Sequence, residues 1–97
     1  MPRRFEWDEA KDAENLRKHG IRFVEAAEIF DGPVLTALDE RFEYGEMREI
    51  SIGFLGGLVV LNVSHTDRDG ATRIISARRA TPKERKRFYA YLERTLG

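Results

Sequence analysis

The apolar residues of this chain change period twice, and the two changes divide 97 residues into helix, strand and helix again. Up to Asp31-Gly32-Pro33 the spacing is helical. Asp8 has the chemistry of an N-cap, Ala10, Ala13 and Leu16 recur at i, i+3 and i+6, and Gly20 supplies a stop after Lys18 and His19. A second helix is expected from Phe23, Ala26, Ala27 and Phe30, which share one face. From Val34 onward the period is two. Val34–Leu38 reads as a first strand. The next alternates, with Arg48, Ile50, Ile52 and Phe54 on one face and Met47, Glu49, Ser51 and Gly53 on the other. Gly56-Gly57 forms a tight turn into Leu58–His65, apolar enough for a central strand buried on both sides. Asp67-Arg68-Asp69-Gly70 turns the chain into Thr72–Arg79. There Thr72, Ile74, Ser76 and Arg78 should face one way and Arg73, Ile75, Ala77 and Arg79 the other.

The return to helix is the sharpest local signal. Thr81 can cap, Pro82 suits the first helical position, and Glu84 three residues on completes a capping box. Phe88, Tyr91, Leu92 and Leu96 mark the buried side of that last helix. The expected order is therefore α-α-β-β-β-β-α. This is an α+β fold of two N-terminal helices, a four-stranded and mainly antiparallel sheet, and a C-terminal helix. Residues 1–97 should form one domain, long enough for a single hydrophobic core.

Composition excludes several kinds of chemistry. Without cysteine there are no disulfides, thiolate metal sites or cysteine nucleophiles. Two histidines lacking ligand spacing argue against a metal site, and neither a phosphate-binding loop, GxGxxG nor GxSxG is present, so no cofactor is expected. The charged start MPRRFEWDEAKD has no leader pattern, and the longest apolar run, GGLVVLNV, is too short to span a bilayer. A cytoplasmic location away from membranes is the expectation. The charges sum to zero but are unevenly placed. Residues 1–50 hold eight Lys/Arg and thirteen Asp/Glu, whereas residues 67–97 hold nine and four. A polyanion site on the basic part and a merely solvated basic surface are both compatible with this.

Arg78 and Arg79, side by side where the last strand meets the last helix, focus that choice. Such a pair can discourage edge-to-edge pairing, or it can hold an anion beside helix amides. Lys83, Arg85, Lys86 and Arg87 follow on the helix. His65, ending the strand that should neighbour Thr72–Arg79, could exchange a proton near neutral pH or simply be hydrogen-bonded.

Four blocks in order, FEWDEAKDAENLRKHGI, FVEAAEIFDGP, YGEMREISIG and RIISARRATPKER, resemble the BrnT family, toxins of bacterial type II toxin–antitoxin pairs. The resemblance spans roughly Phe5 to Tyr89. It implies a RelE-like fold and a metal-independent endoribonuclease that cleaves RNA and arrests translation. It also implies neutralisation by a BrnA-type antitoxin, a small DNA-binding protein through which the hetero-oligomer reaches its operator and represses the shared operon. On that reading Arg78 and Arg79 clamp the scissile phosphate, with Arg48 a further catalytic candidate and His65 the acid/base. Arg73, Lys18, His19 and Lys83 contact RNA, and Lys18 or His19 could take the acid/base role instead. Glu46 is an alternative base. The competing reading is a non-catalytic module that holds RNA or protein on its basic face.

Overall fold

The computed structural model describes residues 3–40 and 47–96, and its centre is one mixed sheet of five strands. The strands are β1 (Phe5–Glu6), β2 (Val34–Leu38), β3 (Glu49–Leu55), β4 (Val59–Arg68) and β5 (Ala71–Arg79), in the spatial order β1-β5-β4-β3-β2. Four of these are the expected antiparallel strands. The fifth, β1, corrects the expectation: Phe5 and Glu6 pair in parallel with Thr72 and Arg73. Two residues show no readable alternation, so only the fold reveals them as a strand. The turns follow their glycines. Gly56 and Gly57 both take left-handed φ, 63° and 74°, the geometry that matches a two-residue hairpin to strand twist.

Helices cover both faces. On one face lie α1 (Glu9–His19), α2 (Phe23–Ala26) and a 3-10 turn, Ala27–Asp31. The expected second helix thus tightens after one turn. The tightening sets Ile29 against Gly53, where an added Cβ would stand 3.1 Å from the Ile29 Cβ. Phe23, Ala26, Ile29, Leu61, Val63, Ile74 and Ala77 form the core on this side. On the other face α3 (Pro82–Leu96) seats Phe88 against Ile52, Val60 and Ala80, with Phe54 edge-on to its ring at 5.1 Å. Full burial of Phe23 or Phe88 contributes about 2–3 kcal/mol of transfer free energy.

Two sequence expectations about faces change. In α1 the stripe Ala10, Ala13, Leu16 is exposed, and the buried residues are Asp12 and Asn15. In β5 strict alternation fails at a bulge. Ser64 pairs with Ser76 but His65 pairs with Ile74, which leaves Ile75 as an extra residue and puts Ile74 in the same core as Ala77.

Candidate functional site

Asn15 explains why α1 turns a polar face inward. Its side-chain Nδ2 donates to Ile21 O and Ala77 O, both at 2.9 Å, while its Oδ1 accepts from Ala77 N at 3.0 Å. One side-chain amide therefore bonds both backbone groups of Ala77, as a neighbouring strand residue would. β1 has ended at Glu6, so α1 completes the edge of β5 where no strand remains. One turn earlier, Asp12 Oδ1 accepts from Phe23 N at 2.7 Å and caps α2. This joint fixes the last turn of α1 beside the C-terminal half of β5. Lys11, Glu14, Lys18 and His19 line a shallow pocket of about 180 Å³ there with Ile75 and Ser76. Lys18 also lies 3.4 Å from Glu14, and His19 is exposed at the helix C-terminus, where the dipole favours cations.

Beyond the pocket the two arginines part. Arg78 lies on the α3 side, opposite Asn62, and makes a bidentate pair with Glu84: Nη1 to Oε1 at 2.8 Å and Nη2 to Oε2 at 2.9 Å. Glu84 also accepts from Asn62 Nδ2 at 2.9 Å and from Thr81 N at 2.8 Å, so the expected capping box is present and does a second job. The Arg78 guanidinium, assisted by the Thr81 amide, holds the Glu84 carboxyl at a pKa of about 2 despite partial burial. Arg79 points to the opposite face, two residues past Ala77 on the side that α1 covers, and is exposed. It is some 10 Å along the strand from Ser76. Lys83 is exposed on the first turn of α3.

The other expected site residues lie elsewhere. His65 pairs with Ile74 while Arg79 pairs with Leu61, so they are separated by about 13 Å along the strands. The His65 ring is 2% exposed, edge-on to Phe30 at 5.2 Å, with Nε2 2.7 Å from Ser51 Oγ. Ser51 Oγ in turn lies 2.7 Å from Thr36 Oγ1, so a polar chain crosses β4, β3 and β2. Desolvation, reinforced by the positive charge of Arg3, pushes the His65 pKa down to about 4. Its imidazole is neutral at physiological pH and does not meet solvent. Arg48 is half-buried just before β3, its carbonyl accepting from Asp39 N at 2.8 Å. Arg73 lies opposite Thr66 and 3.9 Å from Glu6. The fold thus sets Arg78, Arg79 and Lys83 where β5 meets α3, Lys18 and His19 beside the middle of β5 at Ile75 and Ser76, and Arg48, His65 and Arg73 toward its N-terminal end. Glu46 lies outside the described residues. Among the described residues no group of three His, Cys, Asp or Glu stands close enough to hold a metal ion, and no helix is long and apolar enough to cross a membrane.

Sequence reading missed Asn15 and the Arg78–Glu84 pair. The available signals were an Asn in mid-helix at i+3 from an Asp, and a capping glutamate six residues after an arginine.

The fold and this edge define a class: a small α+β protein whose strand-to-helix joint presents a basic surface. Residues 7–84 match the family described as ribonuclease toxin, BrnT, of type II toxin–antitoxin systems, and the chain belongs to that family. It is similar in structure to the Brucella abortus ribonuclease toxin BrnT, whose crystal structure was solved at 1.1 Å resolution. The TM-score is 0.62 at 25% identity, over 82% of this chain and 99% of that one. No curated protein sequence matches.

Proposed function

We propose that the chain is a metal-independent endoribonuclease whose substrate phosphate is bound by Arg79 at the β5–α3 joint. The observation that carries this is the division of labour between the two arginines. Arg78 is committed to Glu84, whereas Arg79 is exposed on a backbone held rigid by the Asn15 joint on one side and the capping box on the other. In cleavage without a metal, the ribose 2′-oxygen forms a bond to phosphorus as its proton leaves to a base. The bond from phosphorus to the 5′-oxygen breaks, and that oxygen takes up a proton. Arg79 stabilises the charge that builds on the non-bridging oxygens, and Lys83 adds positive potential beside it. His19 is the acid/base in this reading: it is exposed beside Ser76, on the strand that ends in Arg79, with Lys18 as its cationic neighbour. His65, Arg48 and Arg73 serve the opposite end of the sheet and take no part in this step.

The antitoxin that family membership implies is, in this proposal, a BrnA-type DNA-binding protein. It silences the toxin by forming a hetero-oligomer and carries the complex to the operator of their operon. Expression of the chain alone should arrest growth, and Arg79→Ala should relieve the arrest while circular dichroism stays unchanged. Full toxicity of a folded Arg79→Ala variant contradicts the assignment.

A further inference from the structure

The two edges of the sheet are treated differently. β1 and α1 cover one. The other is β2, whose sequence Val-Leu-Thr-Ala-Leu carries no charge and no proline, the devices that usually protect an exposed edge. Asp39 N donates to Arg48 O, and hydrogen-bonded pairs alternate along an antiparallel ladder. With the register Leu38↔Glu49 and Ala37↔Ile50, the backbone of Leu35 and Ala37 bonds to β3. The amide and carbonyl groups of Thr36 and Leu38 therefore point away from the sheet. Among the described residues no strand meets them. Leu38 is 49% exposed, and Met47, just ahead of β3, is 71% exposed.

We infer that β2 accepts an extended segment of the antitoxin as a sixth strand, and that this segment is basic. The inference rests on the proposed toxin function for the existence of the partner, and on the sheet for its mode of binding. Charge identifies the occupant. Glu28 and Asp31 precede the strand and Glu40 follows it, all three exposed, and Glu49 stands opposite Leu38. A second copy pairing antiparallel on the same edge would bring the exposed Asp31 of one chain toward the exposed Glu40 of the other, acid toward acid at both ends. A strand with Lys or Arg beside its apolar residues meets the opposite sign while its main chain fills the open hydrogen bonds. The edge lies across the sheet from Arg79, with β3 and β4 between β2 and β5, so the segment binds without covering the phosphate-binding arginine.

The experiment uses the full chain with the antitoxin encoded beside it. Leu38→Pro removes an outward amide without touching the ladder to β3. Expressed alone, Leu38→Pro should arrest growth as the parent does. Co-expressed antitoxin should rescue the parent and fail to rescue the variant, with the affinity of the purified pair reduced at least tenfold. Rescue of Leu38→Pro to the parental level overturns the inference and leaves the toxin reading intact. Failure of the parent chain to arrest growth overturns the toxin reading instead. If Leu38→Pro does not fold, amide exchange in the parent decides. Slowed exchange at Thr36 and Leu38 on adding antitoxin supports the sixth strand, and unchanged exchange in a formed complex overturns it. Protection of both amides in a dimer of the chain alone overturns the choice of occupant.

Discussion

Arg78 and Arg79 are adjacent in sequence and opposite in role. The Arg78 guanidinium forms a bidentate pair with a carboxylate that is itself only partly exposed, so its removal strands the Glu84 charge against Asn62 and the helix cap. Arg78→Ala should destabilise the fold by about 1–3 kcal/mol, read by urea denaturation, and lower activity chiefly through that loss. Arg79→Ala should leave the denaturation midpoint within error. Asn15 is the other residue on which the site depends. Asn15→Ala leaves the N–H and C=O of Ala77 and the carbonyl of Ile21 without their partner, a cost of about 2–4 kcal/mol in the same measurement. Asn15→Asp should be no better, since a carboxylate cannot donate to the two carbonyls. A midpoint unchanged by either substitution would contradict the strand-surrogate role.

At the scale of elements, α3 is placed by its first turn, where Glu84 joins the helix to β4 and β5 through Asn62 and Arg78. Glu84→Gln keeps the length of the side chain and removes the charge. It should weaken the cap and the arginine pair together, costing about 1–3 kcal/mol, with Arg78→Ala adding little on top of it. Additive effects in that double-mutant cycle would show that the two residues act independently. Most of this was legible in the sequence. The helix caps, both hairpin turns, β2 to β5 and the capping box all carry local signals, because each depends on residues close together in the chain. What was not legible depends on distant partners. β1 is two residues long and exists only through β5. The inward face of α1 is polar because Asn15 satisfies a strand edge 62 residues away. The bulge at Ile75 depends on register, which reverses faces without changing composition. The arginine pair was visible as a candidate anion site, but which guanidinium was already bound required the position of Glu84. His65 was read as the end of its strand, whereas β4 continues to Arg68 and buries it, which depends on Phe30 and Ser51 far away in the chain.

For the whole molecule, pH should act through two groups in two windows. Glu84 ionises far more readily in the folded state than its ordinary value of 4.5, so its contribution is full above that value and is lost as pH falls toward 2. Its size is on the order of 2–3 kcal/mol. His65 is held neutral when folded and ordinary when unfolded. As pH falls from 6.5 to 4 only the unfolded chain takes up its proton, so the His65 contribution to stability declines through that window and is constant below it. His65→Gln should remove the slope between pH 6.5 and 4.5 in urea denaturation and leave the Glu84 slope below it. A slope that persists would place its origin in other groups. In the proposed reading the sheet divides its edges by task, with α1 sealing β5 beside the RNA surface and β2, which no strand meets among the described residues on its outer side, receiving the antitoxin. The most direct test of the account is cleavage of RNA by the purified chain and by Arg79→Ala, each in the presence and absence of EDTA. The account predicts cleavage by the parent chain that EDTA does not alter, and a fall of about 10²-fold or more in the variant at unchanged stability. RNA bound without cleavage, cleavage abolished by EDTA, or an Arg79→Ala variant as active as the parent would contradict it.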